Sequence, residues 1–70
     1  MKFLLIMQLC SAIAQECTGN VEIYPLYNSF YDCSSAGYSK SLTLVKELGQ
    51  LDVNQAKIMI QFRCEEITSS

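Results

Sequence analysis

Few residues of this chain could carry out chemistry. The sequence of 70 residues contains four cysteines and no histidine, so it has neither a Ser-His or Cys-His dyad nor a histidine-ligated metal site. Two carboxylate pairs, Asp32 with Glu47 and Glu65 with Glu66, are candidates for acid–base work. General acid–base catalysis needs a pocket, and a chain this short has little material to build one. We therefore predict that the protein is not an enzyme and has no catalytic residues.

The residue counts also argue against a cofactor, a metal or a nucleic acid. Cys17, Cys33 and Cys64 are separated by 16 and 31 residues, whereas zinc sites use closely paired cysteines. No C-x-x-C motif is present to activate a thiol. Five basic residues stand against seven acidic ones, but phosphate neutralisation needs clustered Lys and Arg. We predict no cofactor, no metal and no nucleic-acid partner.

The first fourteen residues, Met1–Ala14, have the pattern of a secretory signal peptide. Lys2 supplies the positive charge, Phe3–Cys10 is largely apolar, and Ala12-Ile13-Ala14 provides the small residues of a cleavage site. The apolar run of about eight residues is too short to span a bilayer, which takes ~20, so membrane contact is expected only transiently. The sequence predicts a signal peptide at 1–14 and one exported domain at 15–70, periplasmic or secreted. The alternative is that Met1–Ala14 is a buried strand or helix.

Two later segments have the composition of strands. Val21–Tyr27 is rich in β-branched and aromatic residues, and its Pro25 predicts a sheet edge or a bend. Ala56–Cys64 alternates between apolar and polar residues. The side chains predicted to point inward from the second segment are Ile58, Ile60, Phe62 and Cys64.

Between these segments, Phe30–Leu48 has the apolar spacing of a helix, with Ser29 as its N-cap and Gly49 at its end. The predicted inward stripe consists of Phe30, Cys33, Gly37, Ser41, Leu44 and Leu48, widened by Tyr38, Leu42 and Val45. Gln50–Gln55 is predicted to be a polar loop, and residues 65–70 a polar tail.

Strand, helix and strand in this order predict a βαβ unit with parallel strands, in a small α+β domain. The helix spans roughly 28 Å and the second strand roughly 30 Å, so the helix start and the strand end meet. Those positions hold Cys33 and Cys64, and we predict that a Cys33–Cys64 disulfide staples the domain. Cys17 is then a free thiol, an intermolecular link, or the partner of another cysteine in a different pairing.

One helix covers only one face of a two-stranded sheet, so the other face is expected to be a contact surface. It is predicted to show Tyr24, Leu26 and Met59 inside a charged rim. Tyr27 and Tyr31 add amphipathic rings near the Cys33–Cys64 end, and tyrosine favours interfaces. The alternative is that the tail or Gln15–Asn20 folds over this face, or that Cys17–Asn20 extends the sheet.

The order Tyr24…Tyr27, Phe30-x-x-Cys33, Ala36-Gly37 and Lys57-Ile58…Phe62-x-Cys64 resembles small exported proteins of bacteriophages and their bacterial hosts. The resemblance covers roughly residues 21–64 and implies export, but no activity and no site residues. We expect a non-enzymatic binding module with a protein partner in the periplasm or at the cell envelope. The alternative is a structural subunit that self-associates through its open sheet face or Cys17.

Overall fold

The computed structural model describes residues 1–68 and shows a small α+β protein. Its elements in chain order are β1 (Lys2–Ser11), β2 (Glu16–Cys17), β3 (Val21–Tyr27), α1 (Phe30–Leu48), α2 (Gln50–Ala56) and β4 (Ile58–Ile67). Neither helix in this part of the chain is both long and apolar enough to cross a membrane.

The centre of the sheet is β1, which pairs antiparallel with all the other strands. Its whole length pairs with β4, from Lys2 opposite Ile67 to Ser11 opposite Ile58. Because a strand has only two edges, β2 and β3 share the other edge of β1. The predicted βαβ unit is therefore wrong in one respect: β3 and β4 run in the same direction, but β1 lies between them.

The hydrophobic core is built largely by β1. The buried apolar residues are Leu4, Leu5, Ile6, Met7, Cys10 and Cys33, and all except Cys33 belong to this strand. A continuous apolar run fits a central strand, because α1 covers one face of it and side chains of the flanking strands shield the other. The structure thus uses the segment predicted to be a signal peptide as a core strand, in line with the alternative interpretation. Cleavage after Ala14, which the sequence predicts, would remove β1 and Cys10, so the domain with two disulfides is that of the uncleaved chain.

Strand β3 has the predicted bounds and lies at an edge, as Pro25 indicated. The peptide bond between Tyr24 and Pro25 is cis. At the same place the pairing of β3 with β1 shifts register, between Leu5 and Phe3. Proline lacks an N–H for the ladder, so an irregular edge strand accommodates it.

Helix α1 also has the predicted bounds. The Ser29 side chain accepts a hydrogen bond of 3.1 Å from the Asp32 N–H, and the N–H of Gly49, at φ 91°, donates to the Val45 carbonyl. The buried face is narrower than predicted and contains Cys33 and Gly37. Phe30, Tyr38 and Leu42, predicted to be inward, are largely exposed. The Phe30 ring contacts Phe3 edge-on, and the Tyr38 ring contacts Phe62 in the same way. The sheet is narrow, so it covers only a narrow stripe of the helix.

The region after α1 differs from the predicted loop. Gln50–Ala56 forms the short helix α2, which ends at Lys57 in the left-handed conformation. Strand β4 then begins at Ile58 and continues to Ile67, beyond the predicted end at Cys64, because the first half of β1 offers it a pairing edge. The predicted alternation within β4 is confirmed. Of the predicted tail, residues 69–70 lie outside the described residues.

Two disulfides join the elements. Cys33–Cys64 links α1 to β4 with a Cα–Cα distance of 6.1 Å, as predicted. Cys17 is bonded to Cys10, its direct neighbour across the β1–β2 hairpin, so the prediction of a free or intermolecular thiol is wrong. The third alternative, a pairing of Cys17 with Cys33 or Cys64, is wrong as well, because the partner of Cys17 lies in the segment that was predicted to be the signal peptide.

Candidate interaction surface

The face of the sheet turned away from α1 is the candidate site. Opposite residues of an antiparallel pair share a face, so the pairing register defines its members. Ile6 lies between Glu22 of β3 and Arg63 of β4, and Cys10 lies beside Met59. We call this surface the open face; it comprises Leu4, Ile6, Gln8, Cys10, Glu22, Tyr24, Leu26, Met59, Gln61, Arg63 and Glu65.

The middle of the open face is apolar but screened. Leu4 and Ile6 are only 5% and 4% exposed although α1 packs on the other side of the sheet. Side chains of the two flanking strands stand within about 5 Å of them and shield them from water. The accessible apolar surface therefore comes from the flanking strands, where Tyr24 is 64% and Met59 is 50% exposed.

Tyr24 and Met59 lie at opposite ends of the open face. β3 pairs with the first half of β1, opposite Phe3–Met7, whereas Met59 pairs with Cys10 in the second half. Six residues of a strand span roughly 20 Å. The prediction of a single apolar cluster assumed that β3 and β4 are neighbouring strands. It is wrong, because β1 lies between them.

Opposite charges occupy the space between the two apolar ends. Arg63 and Glu65 of β4 form an ion pair with an Nε–Oε2 distance of 3.4 Å, and both side chains are about half exposed. Exposed pairs of this kind add little to stability, but they give a surface a pattern that a partner can match.

On β3, the Tyr24 hydroxyl donates a hydrogen bond of 3.3 Å to the Glu22 carboxylate. The charge of Glu22 raises the pKa of Tyr24 above its ordinary value of 10.0, and partial desolvation and the hydrogen bond act in the same direction. Tyr24 is therefore a neutral hydrogen-bonding group at physiological pH, with its ring exposed beside a carboxylate.

The structure divides the five residues predicted to form the partner surface. Tyr24, Leu26 and Met59 belong to the open face. Tyr27 pairs with Phe3 and packs, partly buried, against the core, so it lies on the α1 side of the sheet and does not belong to the open face. Tyr31 is 78% exposed in the first turn of α1, away from the open face.

A groove lies between α1 and β3 that the sequence did not predict. It has a volume of about 380 Å³, and Met7, Ile23 and Leu44 form its apolar lining between Lys40 and Glu47. The groove exists because the Cys33–Cys64 disulfide holds α1 over β4 and β1, which leaves β3 poorly covered. The alternation of Val21 and Ile23 was the one signal that β3 had an apolar inner face.

Within residues 1–68, no group of three or more cysteine, aspartate or glutamate side chains is placed to hold a metal ion. Comparison with known proteins found no family model, no curated protein and no solved structure that matches this chain. The open face and the two disulfides are therefore the features of the chain that bear on its function.

Proposed function

We propose that this protein is an exported, disulfide-stabilised module that acts by binding a protein partner, without catalysis, in the periplasm or at the cell envelope. The observation that carries the proposal is the open face, a sheet surface along the ten residues of β1 that α1 leaves uncovered. It combines exposed aromatic and thioether side chains with alternating charges, a combination typical of protein interfaces.

The disulfides support the proposal that the protein is exported to an oxidising compartment. Each of the four cysteines is bonded, and disulfides persist in oxidising compartments but are rare in the cytosol. A test is the intact mass of protein recovered from the exported fraction after alkylation without reduction. We expect two disulfides and no alkylated thiol. A chain recovered only from the cytosol with alkylated cysteines would contradict the proposal.

Partner binding is testable by site-specific cross-linking in living cells. A photo-reactive amino acid placed at position 24 reports on one end of the open face, and one placed at position 59 on the other. Because a protein that covers the face spans both ends, we expect both positions to cross-link to the same protein. Leu51 is a matched control, since it is 68% exposed on α2, and cross-linking from position 51 should not reach that protein.

Other outcomes have definite meanings. Adducts of twice the chain mass from positions 24 and 59 would favour the alternative, a structural subunit that assembles through its open face. The version of that alternative with Cys17 as a covalent link has no support, because Cys17 is bonded to Cys10. Equal cross-linking from positions 24, 51 and 59 would refute a specific binding face.

A further inference from the structure

The outer edge of β4 is a second surface with the features of an interface. This strand of ten residues pairs with β1 on one side and with no other strand among residues 1–68. It contains neither proline nor glycine. Long, regular and uncovered edges readily pair with another strand, and proline is one of the devices that prevent this. The other outer strand, β3, has Pro25 in that role.

Helix α1 carries an exposed apolar stripe on the same flank of the molecule. Tyr31, Tyr38 and Leu42 are 78%, 70% and 57% exposed, at helical spacings that place them on one side of the helix. The Tyr38 ring packs edge-on against Phe62 of β4, with 4.9 Å between ring centroids, which places the stripe beside the β4 edge. Lys40 lines the groove toward β3, so it lies on the other flank.

We propose that two copies of this chain form a two-fold dimer in which the β4 edges pair antiparallel and the exposed stripes of α1 pack together. The occupant of the edge is thus a second copy, and the sheet continues through both molecules. This interface shares the side chains of Arg63 and Glu65 with the open face, but it is built on the β4 edge and α1, and it does not depend on the proposed partner binding.

Charge complementarity sets the register of the β4 pair. With the two-fold axis at Cys64, Arg63 of each copy stands opposite Glu65 of the other. The pair within each chain, with 3.4 Å between Nε and Oε2, then becomes one side of a square of alternating charges. An axis at Arg63 would instead place two arginines opposite each other, and an axis at Phe62 would place Arg63 opposite Gln61.

The spacing of the helices agrees with this arrangement. α1 lies over β1 and β4, because Cys33 is bonded to Cys64 and clusters with Leu5 and Met7. Two such helices related by the axis are separated by two strand spacings of about 4.8 Å, or ~10 Å, which is within the range for packed helices.

The position of the axis also places small residues of α1 where the two helices come closest. The disulfide places the start of α1 level with Cys64, so the small residues Ser34 and Ser35 lie nearest the axis. Small residues allow two helices to approach closely. Tyr31 of one copy then lies beside Tyr38 of the other, and both rings lose exposed surface on dimerisation.

The test is the dimer dissociation constant of the oxidised full chain, measured by sedimentation, for the unchanged protein and for Arg63→Glu and Glu65→Arg. We expect a dimer at micromolar concentration, weakened about tenfold or more by each substitution, because like charges then face each other twice. Both side chains are half exposed, so the monomer fold should be kept, and circular dichroism verifies this.

Mixing the two variants is the decisive measurement. Each variant alone has like charges at positions 63 and 65, within the chain and across the interface. In the mixture every contact across the interface is between opposite charges, so a heterodimer should form with near-original affinity. Mixing leaves the like charges at positions 63 and 65 within each chain unchanged. If the substitutions weakened the dimer only by disturbing the monomer fold, mixing would therefore not restore the affinity.

Glu22→Arg on the open face is the matched control and should leave the dimer unchanged. A chain that stays monomeric at millimolar concentration would overturn the proposal. So would a dimer that Glu22→Arg dissociates while Arg63→Glu leaves it intact. Cross-linking of a different protein from positions 24 and 59 is unaffected by either result, so the dimer and the proposed binding function are tested separately.

Discussion

Removal of residues 1–14 should unfold the rest of the chain. In the structure these residues provide β1, with the buried side chains of Leu4, Leu5, Ile6 and Met7. Burial of one such side chain contributes about 1.5–3 kcal/mol, so the four together contribute ~6–12 kcal/mol. A single core in a chain of this size supplies roughly 3–5 kcal/mol of net stability. The loss therefore exceeds the whole free energy of unfolding.

The assay compares oxidised chains 1–70 and 15–70 by thermal denaturation and by the dispersion of amide resonances. Cys17 loses its partner in the short chain, so the short chain should carry Cys17→Ser, and the full chain with Cys10→Ser and Cys17→Ser is the reference. We expect cooperative unfolding for the full chain and its reference, and no folded signal for 15–70.

A point substitution provides the same test without a deletion. Leu5 is fully buried, so Leu5→Ala should lower the free energy of unfolding by about 2–5 kcal/mol. Ile13 is 66% exposed, and Ile13→Ala should change it by less than about 0.5 kcal/mol. Cooperative unfolding of 15–70 with the midpoint of the reference would refute the reasoning and would favour a cleaved signal peptide.

Two further predictions concern packing and pH. A Cβ added at Gly37 would clash with the Phe62 ring, so Gly37→Ala should destabilise the protein by about 1–3 kcal/mol in chemical denaturation, whereas Gly19→Ala, with open space around it, should not. An unchanged midpoint for Gly37→Ala would contradict the close approach of α1 to β4. Glu22→Gln should lower the pKa of Tyr24 toward 10.0, and a pH titration of the Tyr24 ring resonances measures that change. The raised pKa means that the folded state holds the Tyr24 proton more tightly than the unfolded state does. The free energy of unfolding should therefore fall as the pH rises from 10.0 through the folded-state pKa, and it should fall less steeply in Glu22→Gln. Identical pH profiles of stability for the two proteins would exclude the contact.

Local sequence signals predicted several elements correctly because each depends on nearby residues. The bounds of α1 follow from the Ser29 cap and from Gly49, whose positive φ few other residues adopt. The edge position of β3 follows from the missing N–H of Pro25. The Cys33–Cys64 bond could be predicted because lengths along a helix and a strand bring those two positions together.

The short helix α2 and the extension of β4 depend on contacts that the local sequence does not contain. Gln50–Ala56 is polar, and its helical state was not apparent from composition. Residues beyond Cys64 look like a tail until Lys2 and Phe3 are available to pair with Ile67 and Glu66.

The sequence by itself determined the helix α1, the edge strand β3, the alternation of β4 and one disulfide. The tertiary structure decided that the N-terminal segment pairs as β1, whereas an apolar run of this length suits both a signal peptide and a central strand. That decision sets the partner of Cys17, the separation of Tyr24 from Met59 and the free edge of β4. The physical reason is that strand pairing joins residues far apart in the chain, and the sequence pattern of one strand does not identify its neighbours.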